Sequence, residues 1–272
     1  MNNAGHSTRT ILLSKKESGW LIISRRSAGN IDPLAEDKSS GHSHLKAFNI
    51  ANLTASSPPY DFTADGRLLG WGIFTVENSA DDVARSGTDI HATNPGEEMN
   101  FVGTLASSEN QAVTTDIPTA SLQFAADVTD QTPTVTDADC EERVKPRLTF
   151  QPHTTPLDVK FAADGGKAFV SFHGSWNSPT PVGYMVATID FANGQPVAAA
   201  DSQTAAVDLF TNPDITKCPN ACFKPASLFL DGTGRLYVSS DATGEIWILG
   251  PTGSTTPPAN SGGRRRARLP RL

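Results

Sequence analysis

Val159-Lys160-Phe161-Ala162-Ala163-Asp164-Gly165-Gly166-Lys167-Ala168-Phe169-Val170-Ser171-Phe172 is the stretch whose reading decides the fold. Two short runs rich in Val and Phe flank Asp-Gly-Gly, and glycine tolerates the positive φ that tight turns require, so the segment reads as a β-hairpin. Three other stretches share the pattern. They are Ile11-Leu12-Leu13 before Ser18-Gly19 and Trp20–Ser24, Tyr60-Asp61-Phe62 before Asp65-Gly66 and Leu68–Ile73, and Leu228-Phe229-Leu230 before Gly232–Gly234 and Leu236–Ser239. Counted from Gly19, Gly66, Gly166 and Gly234, the intervals are 47, 100 and 68 residues, consistent with blades of about 40–50 residues carrying loop insertions. A β-propeller fits this best, and a sandwich with ordinary hairpins is the plainer alternative.

Composition agrees. Hydrophobic residues at 38% suffice for a core, and 22 Gly and 19 Pro against 3 Met favour many turns over long helices, so the class is all-β. Between the second and third hairpins, residues 76–148 are rich in Asp, Asn, Thr and Ser with little hydrophobic periodicity, and they read as a long loop region. Residues 251–263 form a Pro/Ser/Thr/Gly linker and the chain ends in a basic tail, so a domain over 1–250 and disorder over 251–272 are expected.

Acidic residues outnumber basic ones 29 to 22, and five of the basic ones lie in the acid-free tail. A body this acidic repels nucleic acid. No apolar run approaches the ~20 residues of a membrane helix, so no membrane partner is expected. The N-terminus carries no basic region followed by an apolar one, hence no signal peptide. Asn52-Leu53-Thr54 is an N-glycosylation sequon, and Cys218 and Cys222 can close a small disulfide loop in an oxidising compartment, leaving Cys140 over.

Candidate chemistry is scattered. His6 lies three residues before Arg9, just ahead of a strand. His173-Gly174-Ser175-Trp176-Asn177 puts polar and aromatic groups at the end of a buried strand; Trp176 filling space between blades and His173 as a hydrogen-bonded core group is the plainer reading. Asp158 and Lys160 share one face of an apolar strand because side chains alternate, and an ion pair accounts for them without function. The acidic stretch Val76–Asp82, with Asp89-Ile90-His91 and Asn94–Glu98 beyond it, offers hard oxygens of the kind calcium takes, though not in EF-hand order, and a solvated acidic loop is the plainer reading. No Walker loop, dinucleotide fingerprint, zinc motif or nucleophile elbow is present.

Several separate stretches together resemble the fungal pyrroloquinoline-quinone-dependent pyranose dehydrogenases, related to L-sorbosone dehydrogenases and soluble quinoprotein glucose dehydrogenase. They are Ser27–Asp32, Gly70-Trp71-Gly72, Val76-Glu77-Asn78-Ser79, Asp89-Ile90-His91 with Asn94–Phe101, Pro156–Phe161, Ser171–Asn177 with Pro181–Tyr184, and Ser240–Ile246. The resemblance implies a six-bladed propeller that binds the quinone and Ca²⁺ and oxidises a pyranose or related sugar, passing electrons to an external acceptor such as a cytochrome. It implies His6 as the general base, with Arg9, Lys160, His173, Trp176 and Asn177 at the quinone and Asn78, Ser79 and Ala80 at the metal. It also implies an extracellular relative.

Departures from the family pattern are equally specific. An Arg-Asn pair expected after Gly70-Trp71-Gly72 is absent, since Ile73-Phe74-Thr75 runs directly into Val76-Glu77. A Gly/Tyr-rich segment ending in Cys is missing after Glu109-Asn110-Gln111, which leaves Cys140 without its family partner. Ser178 and Met185 stand where relatives carry Arg and Lys. Met1 begins just before the strand of the implied base, so about four of six blades are expected. A non-catalytic propeller fragment, or an incomplete gene model that no longer binds the quinone, is therefore the alternative to an active dehydrogenase. A calcium-dependent sugar lactonase lacks a defined ring of carboxylates here.

Overall fold

The computed structural model describes residues 9–14, 18–25, 34, 42, 44–57, 67–68, 74–79, 84–85, 88–93, 96–101 and 145–250. Among them the chain is all-β apart from one 3-10 turn at Ile215–Lys217. Strands β1 (Arg9–Leu13), β2 (Trp20–Arg25), β3 (His44–Asn49) and β4 (Arg67–Leu68) form the first sheet in that order. In the second, β5 (Phe74–Glu77) pairs β8 (Glu97–Phe101), which pairs β9 (Leu148–Phe150), while β6 (Ala84–Arg85) and β7 (Thr88–Asp89) make a separate two-stranded ribbon. The third runs β10 (Pro156–Phe161), β11 (Lys167–Phe172), β12 (Met185–Ala192), with β13 (Gln195–Pro196) and β14 (Val207–Thr211) both paired to β12. The fourth is β15 (Pro225–Leu230), β16 (Leu236–Ser240) and β17 (Ile246–Leu249). These successive antiparallel sheets are a partial β-propeller with four blade-like sheets among the described residues; the second predicted hairpin does not found a blade of its own, since Arg67–Leu68 pairs with β3 in the first sheet.

Period-two alternation explains how the blades stack. In the third sheet Ala168, Val170 and Phe172 of β11 and Ala187, Ile189 and Phe191 of β12 face the second sheet, where Phe74, Met99, Leu148 and Phe150 complete a core. The opposite face of the same strands sends Phe169 and Val186 to the fourth sheet's Leu228, Leu236 and Val238. The third blade is thus buried on both faces. The outer face of the fourth differs: Phe229, Tyr237 and Ile248 stand in one cross-strand row, with Phe229 61% and Ile248 47% exposed.

Three of the four hairpins form as read. β1–β2, β10–β11 and β15–β16 turn at the glycines Gly19, Gly165 and Gly234, all with positive φ. Of the second, the described residues include only Arg67–Leu68, while Tyr60–Gly66 and 69–73 lie outside them. The reading of residues 76–148 as loop is corrected by β8 and β9 inside that range. Glu97 and Glu98 at the start of β8 mask an alternating strand whose Met99 is fully buried. Residues 102–144, including Cys140, and the tail 251–272 lie outside the described residues.

Asp158 joins the third and fourth blades. It pairs with Lys160 on its own strand, as the shared face predicts, and its second oxygen accepts from the Leu228 amide at 2.8 Å and the Ser227 hydroxyl at 3.2 Å on β15. The plain ion-pair reading is therefore incomplete, because the carboxylate also satisfies backbone of the next blade. Removing an acceptor from a sequestered amide costs about 1–3 kcal/mol. Asp158→Ala is expected to lower the thermal midpoint by a few degrees and Asp158→Asn by less, as calorimetry would read; an unchanged midpoint for the alanine variant would contradict the joint.

Candidate functional site

Antiparallel pairing fixes which loops share an end of the blades. Glu77 at the end of β5 lies opposite Glu98, and Glu97 opposite Phe150, so Asn78 and Ser79, Gly96 and residues 151–155 adjoin the second sheet at one end. Pro156 lies opposite Phe172 and Phe172 opposite Met185, which brings 173–184 to the same end as 151–155. Pro225 opposite Ser240 adds residues 241–245. Chemistry-bearing residues far apart in the chain thereby converge.

The loop after β11 is tied down by backbone. The His173 amide donates to Thr155 O at 2.9 Å and the Gly174 amide to Thr154 O at 3.0 Å. Three of the four described non-glycine residues with positive φ, His153, Thr155 and Tyr184, sit in these two loops, joined by Gly174 and Gly183. Left-handed backbone in a β-branched threonine is rare and collects at sites whose surroundings hold it in place. Fully buried Tyr184 supplies much of that hold. Its hydroxyl donates to Ser175 O at 2.9 Å, its ring lies over Gly174, and it packs with Cys218 and Cys222, which form a disulfide as the spacing predicts. Burial pushes the phenol's pKa up. Asn212 closes the arrangement by donating to Tyr184 O at 2.8 Å and Phe223 O at 2.9 Å.

Around this loop lies a belt of polar contacts. His173 Nε2 is 3.1 Å from both Asp241 oxygens and its Nδ1 is 3.1 Å from Gly174 O, so both ring nitrogens are held by neighbours. The Ser175 hydroxyl donates to Asn177 Oδ1, and Asn177 O lies 3.1 Å from His91 Nε2. His91 stacks edge-on against His153, whose Nε2 is 2.7 Å from His91 O. The His91 amide holds the Asp89 carboxyl below its ordinary range. Buried Glu97 accepts from the Ser79 amide at 2.8 Å and the Thr155 amide at 3.3 Å, linking the proposed metal segment to the strained loop.

The structure thus brings His173, Trp176, Asn177, Asn78 and Ser79 to one end. Trp176 is 80% exposed, which removes the reading that it fills space between blades and leaves its ring face open. Lys160 lies on β10, which packs against both β5 and β15 and so occupies the inner edge of its sheet; it is half-exposed and paired with Asp158. His6 and Ala80 lie outside the described residues, as does the side chain of Arg9. Tyr184, Asp241 and His153 received no role from the sequence, and Glu97, read there as one of several hard-oxygen groups, instead accepts backbone amides. Their signals were faint: each adjoins a strand end in a stretch of small or polar residues.

Beside the belt, β5 and β8 turn a polar face away from the Met99 core, placing Glu77 directly opposite Glu98. Burial pushes the Glu98 carboxyl up to about 7, and the neighbouring Glu77 charge adds to this against a hydrogen bond from Asn100. A carboxyl raised on folding binds more protons folded than unfolded between its ordinary value and 7, so stability falls as pH rises through that window and levels above it. Melting temperature is expected to decline from pH 5 to 7, and Glu98→Gln to flatten the decline. A slope unchanged in that variant would assign it elsewhere.

A family model described as TrAA12-like matches residues 1–252. A pyrroloquinoline quinone-dependent sugar dehydrogenase of Hypocrea jecorina is 43% identical over 282 residues, covering 92% of this chain and 63% of that protein. A pyrroloquinoline quinone-dependent pyranose dehydrogenase of Coprinopsis cinerea is 33% identical over 293 residues, covering 92% and 40%. The chain therefore spans about two thirds or less of these curated relatives. Among solved structures, the calcium structure of the Trichoderma reesei carbohydrate-active enzyme of family AA12 superposes with a TM-score of 0.81 at 43% identity, over 91% of this chain and 69% of that one. The holo form of the pyranose dehydrogenase PQQ domain from Coprinopsis cinerea gives 0.79 at 32% identity, over 91% and 71%.

Proposed function

Because this chain belongs to the TrAA12-like family, we propose that it binds pyrroloquinoline quinone with Ca²⁺ at the convergent blade end and oxidises a pyranose or related sugar. The observation that carries the reading is the meeting of His173, Trp176, Asn177 and the Asn78-Ser79 segment at one end of the blades. A curated relative 43% identical is a quinone-dependent sugar dehydrogenase, and the neighbouring structures include calcium and holo forms. Extracellular residence is part of the proposal, supported by the Cys218–Cys222 disulfide.

The residues present fit such a cofactor. Trp176 offers an open aromatic face for a planar ring, and on the same loop His173 and Asn177 are held in place by Asp241 and Ser175. A tricarboxylate needs cations, and Lys160 is the proposed one on β10. Asp158 keeps two donors from β15, so the Lys160 ammonium can turn to a ligand carboxylate without stranding its partner. Backbone oxygens of Asn78, Ser79 and Ala80 are the proposed calcium ligands, the first two beside Glu97, which holds the segment through the Ser79 amide. Bound together, the quinone and metal supply an acceptor for two electrons and hydrogen from a sugar C–H bond and a Lewis acid to polarise it. His6 is assigned to take the sugar hydroxyl proton, for which a neutral imidazole suffices, with Arg9 beside the cofactor. Tyr184 positions the loop, and electrons leave to an external acceptor such as a cytochrome.

Adding the quinone with excess Ca²⁺ is expected to change its absorbance on uptake, and sugar-dependent dye reduction to follow. Losing a charge-assisted contact is worth about 1.5–3 kcal/mol, so Lys160→Ala should weaken uptake at least tenfold. His6→Ala should abolish turnover while leaving uptake intact. A folded chain that takes up no quinone would overturn the proposal in favour of a non-catalytic propeller.

A further inference from the structure

We propose that Asn52 is an N-glycosylation site that accepts an oligosaccharide from an isoprenoid-pyrophosphate-linked donor. Asn52-Leu53-Thr54 is the one Asn-x-Ser/Thr triplet in the sequence whose middle and following residues are not proline. The structure sets it on a turn directly after β3, where Ala51 through Ser56 are all exposed. Among the described residues none hydrogen-bonds the Asn52 carboxamide, so a bulky glycan there displaces no contact. The turn around it is nevertheless anchored. The Ile50 amide donates to Gly19 O at 2.7 Å, the Ala51 amide to Asn49 Oδ1 at 3.0 Å, and the Leu53 amide to Ile50 O at 3.1 Å. Ala51 packs so close to Gly19 that a side chain at that glycine would meet it at 2.6 Å. The acceptor is thus carried outward on a fixed corner with Asn52, Leu53 and Thr54 all exposed, although the Thr54 hydroxyl also lies 3.0 Å from the Ser56 hydroxyl and 3.3 Å from that of Ser57.

A second, independent observation concerns compartment. Cys218 and Cys222 are joined in the structure, and structural disulfides persist in the oxidising secretory route where such donors occur. The inference rests on the extracellular residence proposed above, although it does not need the quinone. In the transfer, Asn52 Nδ2 forms the bond to the anomeric carbon of the first sugar while that carbon's bond to the pyrophosphate oxygen breaks. The lipid pyrophosphate leaves with the electron pair, and the amide loses one proton to a base of the transferase. Nothing is oxidised or reduced.

The full chain, sent into the secretory route of a yeast behind the host's own leader, is the test, with cell-associated and secreted material both analysed. Digestion with peptide-N-glycosidase in heavy-oxygen water is expected to shift the gel band and leave labelled Asp at position 52. Asn52→Gln and Thr54→Ala should each reduce the modified fraction from the majority to none, and Thr54→Ser should retain a smaller share. Alkylation of free thiols in the same samples reports whether Cys218 and Cys222 became oxidised. Oxidised chain with unmodified Asn52 overturns the glycan assignment alone. Translocated chain whose two thiols remain reduced overturns it through the compartment on which it rests, and a glycan persisting in Asn52→Gln overturns the position. Quinone titration of the same protein reports on the dehydrogenase reading separately.

Discussion

Gly174→Val is expected to destabilise the protein by about 3 kcal/mol or more, the sum of left-handed backbone strain in a β-branched residue and steric overlap in a packed site. Gly174 has φ +77°, and a Cβ there would stand 2.5 Å from the Tyr184 ring. Tyr184 cannot retreat easily, since its hydroxyl donates to Ser175, its carbonyl accepts from Asn212, and the disulfide lies behind it. The displaced loop carries His173, Trp176 and Asn177, so quinone uptake should fall with stability. Gly165→Ala is the control: its φ is +71° but nothing lies within 4 Å of the added carbon, so only the conformational cost of about 1–2 kcal/mol applies. Chemical unfolding of both variants separates overlap from backbone strain. Equal losses would mean that the Tyr184 ring yields.

Replacing Cys218 and Cys222 together by serine should cost nearly as much. A five-residue loop restricts the unfolded chain by about 2 kcal/mol, to which poorer packing behind Tyr184 adds. For a chain of this size each kcal/mol moves the midpoint by about 2–4 °C, so a fall of at least 4 °C is expected, with a matching fall in the wild type under reductant. Phe223 follows the loop and donates through its amide to Asn212, which in turn holds Tyr184. The double variant should therefore weaken quinone uptake beyond what its stability predicts. Uptake unchanged at a temperature where the variant is fully folded would show that the disulfide supports the fold without positioning the loop.

Where local chemistry decides local structure, these features were readable in the chain. Asp-Gly-Gly between Val- and Phe-rich runs gave the β10–β11 hairpin, since turn geometry and strand preference agree there without tertiary help. The four-residue Cys spacing gave the disulfide, and alternation put Asp158 beside Lys160. β8 escaped because Glu97 and Glu98 look like surface loop until Thr155 and Ser79 supply amides to one carboxylate and the Glu77 strand lies against the other. Its burial depends on partners 18 and 58 residues away, which no window on the sequence contains.

The site divides along the same line. His173, Trp176 and Asn177 were legible as a cluster because they are contiguous and follow a strand that alternation marks as buried. Asp241 and His153 were not, because their roles arise only when antiparallel register brings remote loops to a common end. The ion-pair reading of Asp158 fell short for a similar reason, as its second oxygen serves an amide 70 residues on. Left-handed backbone at Thr155 and Tyr184 was likewise invisible, since neither residue type prefers it.

That amide has a dynamic consequence. The Leu228 N–H points into a carboxylate of the adjoining blade rather than along its own sheet, so it can meet solvent only when the two blades part. Its deuterium uptake should follow the slowest cooperative opening of the pair, and Asp158→Asn should accelerate Leu228 selectively over amides bonded within β16. One backbone proton thus serves as a gauge of how firmly neighbouring blades are clamped.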